Sequence, residues 1–259
     1  MTLMLQSSSK LNLHSNPFCH FFRCRSSGKP ITTERSEWRN LYMTKNTELI
    51  VLHTTKFGEN SLVVHTLSRE YGRRSFLLRG VGKKSGMSLF LPLTLLEGDV
   101  TESSKSTLYT IKGLVSRHPL MGIRNSIYKN TMTMFMAEVM FRVLKEGVYE
   151  HGMYEWCEKN ILLLDAIQTD FSNFHIRFLL ELAVQLGFRP ETTDLMPFVG
   201  DHYPIVQQFM SLPFAESMLI PLNGSVRNEI AEEILRYIEF HTDSAVNINS
   251  LKVLRELFA

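Results

Sequence analysis

The chain has 259 residues, 44% of them hydrophobic and 21% charged, and its 28 basic and 26 acidic side chains leave a net charge of +2. A chain of that length buries a sufficient core without covalent staples, and no uncharged apolar run reaches the ~20 residues needed to cross a bilayer, which argues against a disulfide scaffold and a membrane span. So small a net charge does not mark a nucleic-acid partner by itself, and the placement of the charges has to decide.

Residues 1–42 are rich in Ser and basic side chains, contain only Glu34 and Glu37 as acids, and hold no sustained period of 2 or 3.6. A disordered extension is predicted. The composition also fits an organellar transit peptide, with Leu3, Leu5, Phe18, Phe21 and Phe22 as a weak apolar face. We favour an extension upstream of a functional start at Met43, because the residues from Met43 to Leu52 lead directly into a strand. Cys19, Cys24 and Cys157 are an odd number, which suits a reducing compartment. Cys19 and Cys24 lack a second ligand pair, since His14 and His20 lie in the same unpatterned stretch, so no metal is expected.

From Thr47 the pattern becomes that of strands. Leu49 to Leu52 is apolar, Lys56 to Asn60 reads as a turn, Ser61 to Ser68 is rich in β-branched and apolar residues, and Tyr71-Gly72 turns the chain into Ser75 to Val81. Leu89 to Val100 and Thr107 to Val115 supply two more strands, joined by a polar loop, Glu102 to Ser106. Pro92 argues against a helix through that region. Five short strands in about 70 residues fit a small closed barrel, and five is the OB count. The predicted organisation is α+β: an OB-like barrel over residues 43–120, then an all-helical domain over 121–259 with an irregular segment at 189–222.

Between Arg69 and Lys84 stand Arg69, Arg73, Arg74, Arg79, Lys83 and Lys84 against the single acid Glu70, while Glu229, Glu232, Glu233 and Glu239 cluster near the end. Such barrels hold oligonucleotides in a cationic groove with aromatic side chains as stacking platforms. These six residues, with Lys56, are the expected nucleic-acid contacts, and Phe57, Tyr71 and Phe76 are the candidate aromatics, whose plainer role is barrel core. Alternation puts Arg74, Phe76, Leu78 and Gly80 on one face and Arg73, Ser75, Leu77 and Arg79 on the other. The alternative is a solvated turn whose charges keep an edge soluble. Gly82-Lys83 is no phosphate-binding loop, because the earlier glycine is missing and Lys84 stands where a Ser or Thr would hold magnesium.

Helices are predicted over Ser126 to Glu146, ended by Gly147, then over Met153 to Ala166, Phe171 to Leu186 with Gly187 as its stop, Asn223 to His241, and Ser250 to Phe258. Met132, Met134, Met136 and Met140 read as core rather than as an adaptable groove. His175, beside Arg177, lacks a catalytic constellation and reads as a hydrogen-bonded structural residue. No zinc, nucleophile or nucleotide motif is present, so no enzymatic activity is expected; a metal-dependent nuclease assembled from distant acids is the remote alternative.

Ile50 to Thr54, Phe57-Gly58-Glu59-Asn60-Ser61-Leu62-Val63, Arg69-Glu70-Tyr71-Gly72, Arg79 to Ser85 and Pro92 to Glu97 follow one another in the order and spacing of the RecO family. The likeness continues through Tyr128 to Leu144, Asn173 to His175 and Ser250 to Phe258, in the manner of the Bacteroidetes branch, and leaves residues 1–42 outside. The resemblance implies a bacterial cytoplasmic, nucleoid-associated mediator. It would bind single- and double-stranded DNA, anneal complementary strands and, with RecR, help the recombinase RecA replace single-strand-binding protein. Many members carry a four-cysteine zinc ribbon, but residues 189–223 hold no cysteine, so no zinc is expected. Arg142, Lys145, Lys159 and Arg177 are the expected attractors of the acidic tail of single-strand-binding protein. A protein-assembly adaptor that touches DNA only incidentally is the competing reading.

Overall fold

Five strands, β1 (Thr44–Lys56), β2 (Ser61–Ser68), β3 (Gly72–Arg79), β4 (Leu95–Thr101) and β5 (Tyr109–Ser116), close into a barrel in the order β1-β2-β3-β5-β4. This computed structural model describes residues 44–80, 87–102, 108–245 and 247–258; the expectations for residues 1–42, including Cys19, Cys24 and the start at Met43, lie outside them. The length of β1 makes closure possible. Its first half pairs with β4 and its second half with β2, with a register shift between Val51 and His53. A parallel β3–β5 pairing, Phe76 opposite Tyr109, seals the last gap. The expected OB-like barrel with a helical region behind it is what the chain forms.

Alternation along β1 divides its side chains between two cores. Leu49 and Val51 point into the barrel with Leu62, Val64, Phe76, Leu96, Val100 and Ile111. Ile50 and Leu52 point the other way and join the core of the helices. The stretch from Leu49 to Leu52 is therefore apolar throughout because both faces of the strand are covered. The expected strand from Leu89 to Val100 starts only at Leu95. Met87–Phe90 is a 3-10 turn that places Phe90 in the barrel core, Pro92 has no N–H for a ladder, and Leu93 has a positive φ of 55°.

The helices are α1 (Met121–Arg124), α2 (Ile127–Val143), α3 (Met153–Ala166), α4 (Phe174–Gln185), α5 (Thr192–Val199), α6 (Tyr203–Ser211), α7 (Phe214–Met218), α8 (Gly224–Thr242) and α9 (Ser250–Leu257). Ser126 caps α2 by accepting from the Lys129 amide, and Asn223 caps α8 by accepting from the Val226 amide. α2 ends at Val143, before the expected Gly147, whose positive φ of 78° instead serves the loop that follows. Met132, Met136 and Met140 are core; Met134 is exposed. The segment expected to be irregular is mostly helical: Pro204 stands in the first turn of α6 and Pro213 at the N-cap of α7, where helices tolerate proline, while Pro197 lies inside the short α5.

His175 is fully buried on α4 against Phe135 and Phe258, with the Ser172 backbone as a polar neighbour. Burial first, then the charge of Arg227, pushes its pKa down to about 3. Residues from 42 onward form one compact unit, so barrel and helices are continuous. Among the described residues no helix is long and apolar enough to cross a membrane, and no group of three or more His, Cys, Asp or Glu could hold a metal ion.

Candidate nucleic-acid interface

The barrel separates the basic cluster into residues committed to carboxylates and residues at its surface. Arg69, just past β2, donates to Glu48 on β1 at 2.5 Å, and to Glu155 and Glu158 on α3 at 2.5 and 3.1 Å. Burial opposes its charge, but the Glu48 hydrogen bond and the surrounding negative groups more than offset that, and its pKa lies above the ordinary arginine value. Arg117, just past β5, joins the same group through Glu48 and Glu158. The network ties the barrel to α3.

Arg73 is buried, stacks over Phe141 of α2 at 4.7 Å, and forms an ion pair with Glu146. Burial lowers its pKa, and the half-exposed Glu146 carboxylate is the counter-ion that compensates. Glu146 also accepts from the Ser75 amide and hydroxyl, and Ser75 meets His65 at 2.7 Å. The face of β3 that carries Arg73, Ser75 and Leu77 thus turns towards the helices rather than to a ligand. Of the expected contacts, Arg69 and Arg73 are thus paired with carboxylates between the barrel and the helices, Arg73 buried and Arg69 partly exposed.

Arg74, on the other face, lies 4.2 Å over the ring of Tyr109. Tyr109 meets Tyr71 edge-on at 5.9 Å, and Lys45 lies 5.9 Å from the Tyr71 ring. Burial and the bond to Glu102 push the Tyr71 hydroxyl up to about 12. Phe76 is wholly inside the barrel core and is no platform.

About 17 Å further along β3, at ~3.4 Å per residue, Arg79 is exposed at the opposite end. The hairpin of Lys56 and Phe57 closes beside it, with the Gly80 amide donating to the Asn60 carbonyl and the Phe57 amide to the Ser61 carbonyl. Lys56 is exposed and Phe57 is 56% exposed. Lys83 and Lys84 follow in the chain and lie outside the described residues.

On the helices, Arg142, Lys145 and Lys159 are exposed. Arg177 is not comparable: it pairs with Glu181 and donates to the carbonyls of Phe209 and Leu212, tying α4 to the end of α6. Sequence reasoning overlooked Lys45, Tyr109 and Tyr149. Only the parallel β3–β5 pairing sets Tyr109 beside Phe76, and only the packing of the loop after α2 brings Tyr149 to the barrel.

Residues 43–119 match the family model described as Recombination protein O N terminal, and residues 124–196 match Recombination protein O C terminal. The chain belongs to the RecO family. It is similar to a protein named DNA repair protein RecO from Phocaeicola vulgatus, 29% identical over 241 residues that cover 84% of this chain and all of that one. The same name is carried by relatives from Bacteroides fragilis, 27% identical over 83% of this chain and all of the relative, and Flavobacterium johnsoniae, 25% identical over 82% and 98%. The two family matches meet close to the barrel–helix junction, so the Arg69, Arg117 and Arg73 contacts join the two parts of the family architecture.

Proposed function

We propose that this protein acts in bacterial DNA repair as a recombination mediator, working by binding rather than by bond-making. In this reading it holds single- and double-stranded DNA, anneals complementary strands, and with RecR helps load RecA onto strands coated with single-strand-binding protein, in the cytoplasm at the nucleoid. The observation that supports it is the end of the barrel where Lys56 and Arg79 stand exposed around Phe57, immediately before Lys83 and Lys84 in the chain. Cations on a surface of this kind neutralise phosphates and release counter-ions, which makes affinity salt-dependent.

The decisive experiment measures single-stranded DNA affinity against salt for the full chain and for a Lys56→Ala, Arg79→Ala, Lys83→Ala, Lys84→Ala variant. Four lost phosphate contacts lower the log–log slope by roughly 3, at about 0.7 per contact on a single strand. An unchanged slope places the phosphates elsewhere. Annealing of complementary strands, bare and coated with single-strand-binding protein, then tests the mediator role. The exposed Arg142, Lys145 and Lys159 are proposed to attract the acidic tail of that protein, and reversing their charge should weaken tail binding.

A further inference from the structure

The barrel end opposite Lys56 and Arg79 carries a second surface. Its members come from four places in the chain: Lys45 on β1, Tyr71 and Arg74 at the start of β3, Tyr109 at the start of β5, and Tyr149 in the loop between α2 and α3. That loop is held by backbone. The Arg73 amide donates to the Val148 carbonyl at 3.3 Å, and the Gly147 amide donates to the Arg73 carbonyl at 2.8 Å. Gly72, with a φ of 61°, allows the approach; a Cβ there would overlap the Val148 carbonyl and sit 2.8 Å from the Tyr149 Cα. Tyr149 therefore stands beside the residue that follows Tyr71, and its side chain is 54% exposed.

The charge here is mixed. Lys45 and Arg74 share it with Glu70 and Glu102, both acting on Tyr71, and Glu102 accepts from the Tyr71 hydroxyl. A nearly balanced surface does not hold phosphates strongly. Tyr71 and Tyr109 are half-buried against the barrel core, with a guanidinium over one ring and an ammonium near the other, and Tyr149 stands exposed beside them; flat polarisable rings and guanidinium planes are what unpaired bases stack on and paired bases cannot.

We propose that Tyr71, Tyr109 and Tyr149, with Arg74 and Lys45, form a base-stacking platform for single-stranded DNA, built jointly by the barrel and the loop after α2. The platform rests on the reading that the barrel binds DNA, and it assigns a division of labour: phosphates at the Lys56–Arg79 end, bases at the tyrosine end. It also makes the loop after α2 part of the binding surface, so the barrel alone is incomplete as a single-strand reader.

The test compares the full chain with Tyr149→Ala, and with Tyr149→Phe as the variant that keeps a ring, on an oligo-dT strand and on a duplex of equal length. Tyr149→Ala is expected to weaken single-strand binding roughly 5- to 100-fold at every salt concentration, with slope and duplex affinity unchanged, and Tyr149→Phe to restore it. In parallel, a strand carrying iododeoxyuridine is photocrosslinked to the unaltered protein; adducts on Tyr71, Tyr109 or Tyr149 are expected. If Tyr149→Ala binds as the unaltered chain does and adducts fall elsewhere, the platform is wrong while DNA binding by the barrel stands. If the unaltered chain binds neither strand nor duplex, both readings fall together.

Discussion

Arg73 of β3 and Glu146, three residues beyond the end of α2, form an ion pair in which the arginine is almost wholly buried and the glutamate is half exposed. Such a pair holds the barrel against the helices. Arg73→Met leaves Glu146 without its counter-charge and is expected to cost roughly 1–3 kcal/mol in chemical denaturation. The salt slope of DNA binding should stay where it was. A slope lowered by a full contact would return Arg73 to the DNA surface.

Arg117 and Glu158 are coupled through a shared network with Glu48 and Arg69, and both side chains are largely covered, at 22% and 16% exposure. A double-mutant cycle with Arg117→Met and Glu158→Gln should give an interaction energy of about 1–2 kcal/mol, since partly buried networks are not additive. Coupling within about 0.3 kcal/mol of zero would mean that solvent screens the seam and that apolar packing alone joins barrel to α3.

Two histidines make stability depend on pH. The folded pKa of His175 is pushed down to about 3 by burial and Arg227, and that of His65 to about 4 by burial, Arg73 and His53. Both are depressed below the unfolded value near 6.5, so the folded state favours the neutral rings. Their contribution is complete above that value and is lost as pH falls below it, while the unfolded chain takes up protons that the folded chain refuses. Between about pH 6.5 and 5, above the ordinary carboxylate range, each group approaches a loss of about 1.4 kcal/mol per pH unit. His175→Phe keeps the ring contacts and removes the titrating group, so it should flatten the acid slope by one proton whatever its cost at pH 8. An unaltered slope would show that His175 is protonated in the folded protein.

The barrel was readable because each strand has its own local signature and the turns between them carry Gly, Asn or Pro. The division of the arginines was not. Period-2 alternation places Arg73 and Arg74 on opposite faces but does not say which face a helix covers; Phe141 and Glu146, about 70 residues later, decide that. Arg69 has the same history, since Glu155 and Glu158 on α3 are its partners. Lys56 and Arg79 are exposed because a hairpin tip and a strand end have little nearby chain to cover them. The helices of residues 192–218 went unseen because they are short and their prolines read as breakers, although Pro204 and Pro213 start helices and only Pro197 lies within one.

Gly72 offers the last test, one of architecture. Its positive φ and the Val148 carbonyl in the space a side chain would take leave no room for alanine without moving the loop. Gly72→Ala should cost about 1–3 kcal/mol through backbone strain and overlap. Hydrogen exchange gives the sharper readout: the Arg73 and Gly147 amides, bonded across the contact, should exchange faster, while the Leu62 and Phe76 amides in the barrel stay protected. Tyr149 would be displaced with the loop, so single-strand affinity should fall as it does for Tyr149→Ala although no tyrosine has been altered. Unchanged exchange at Arg73 and Gly147 would mean that the loop does not depend on Gly72, and that Tyr149 is held beside the barrel by something else.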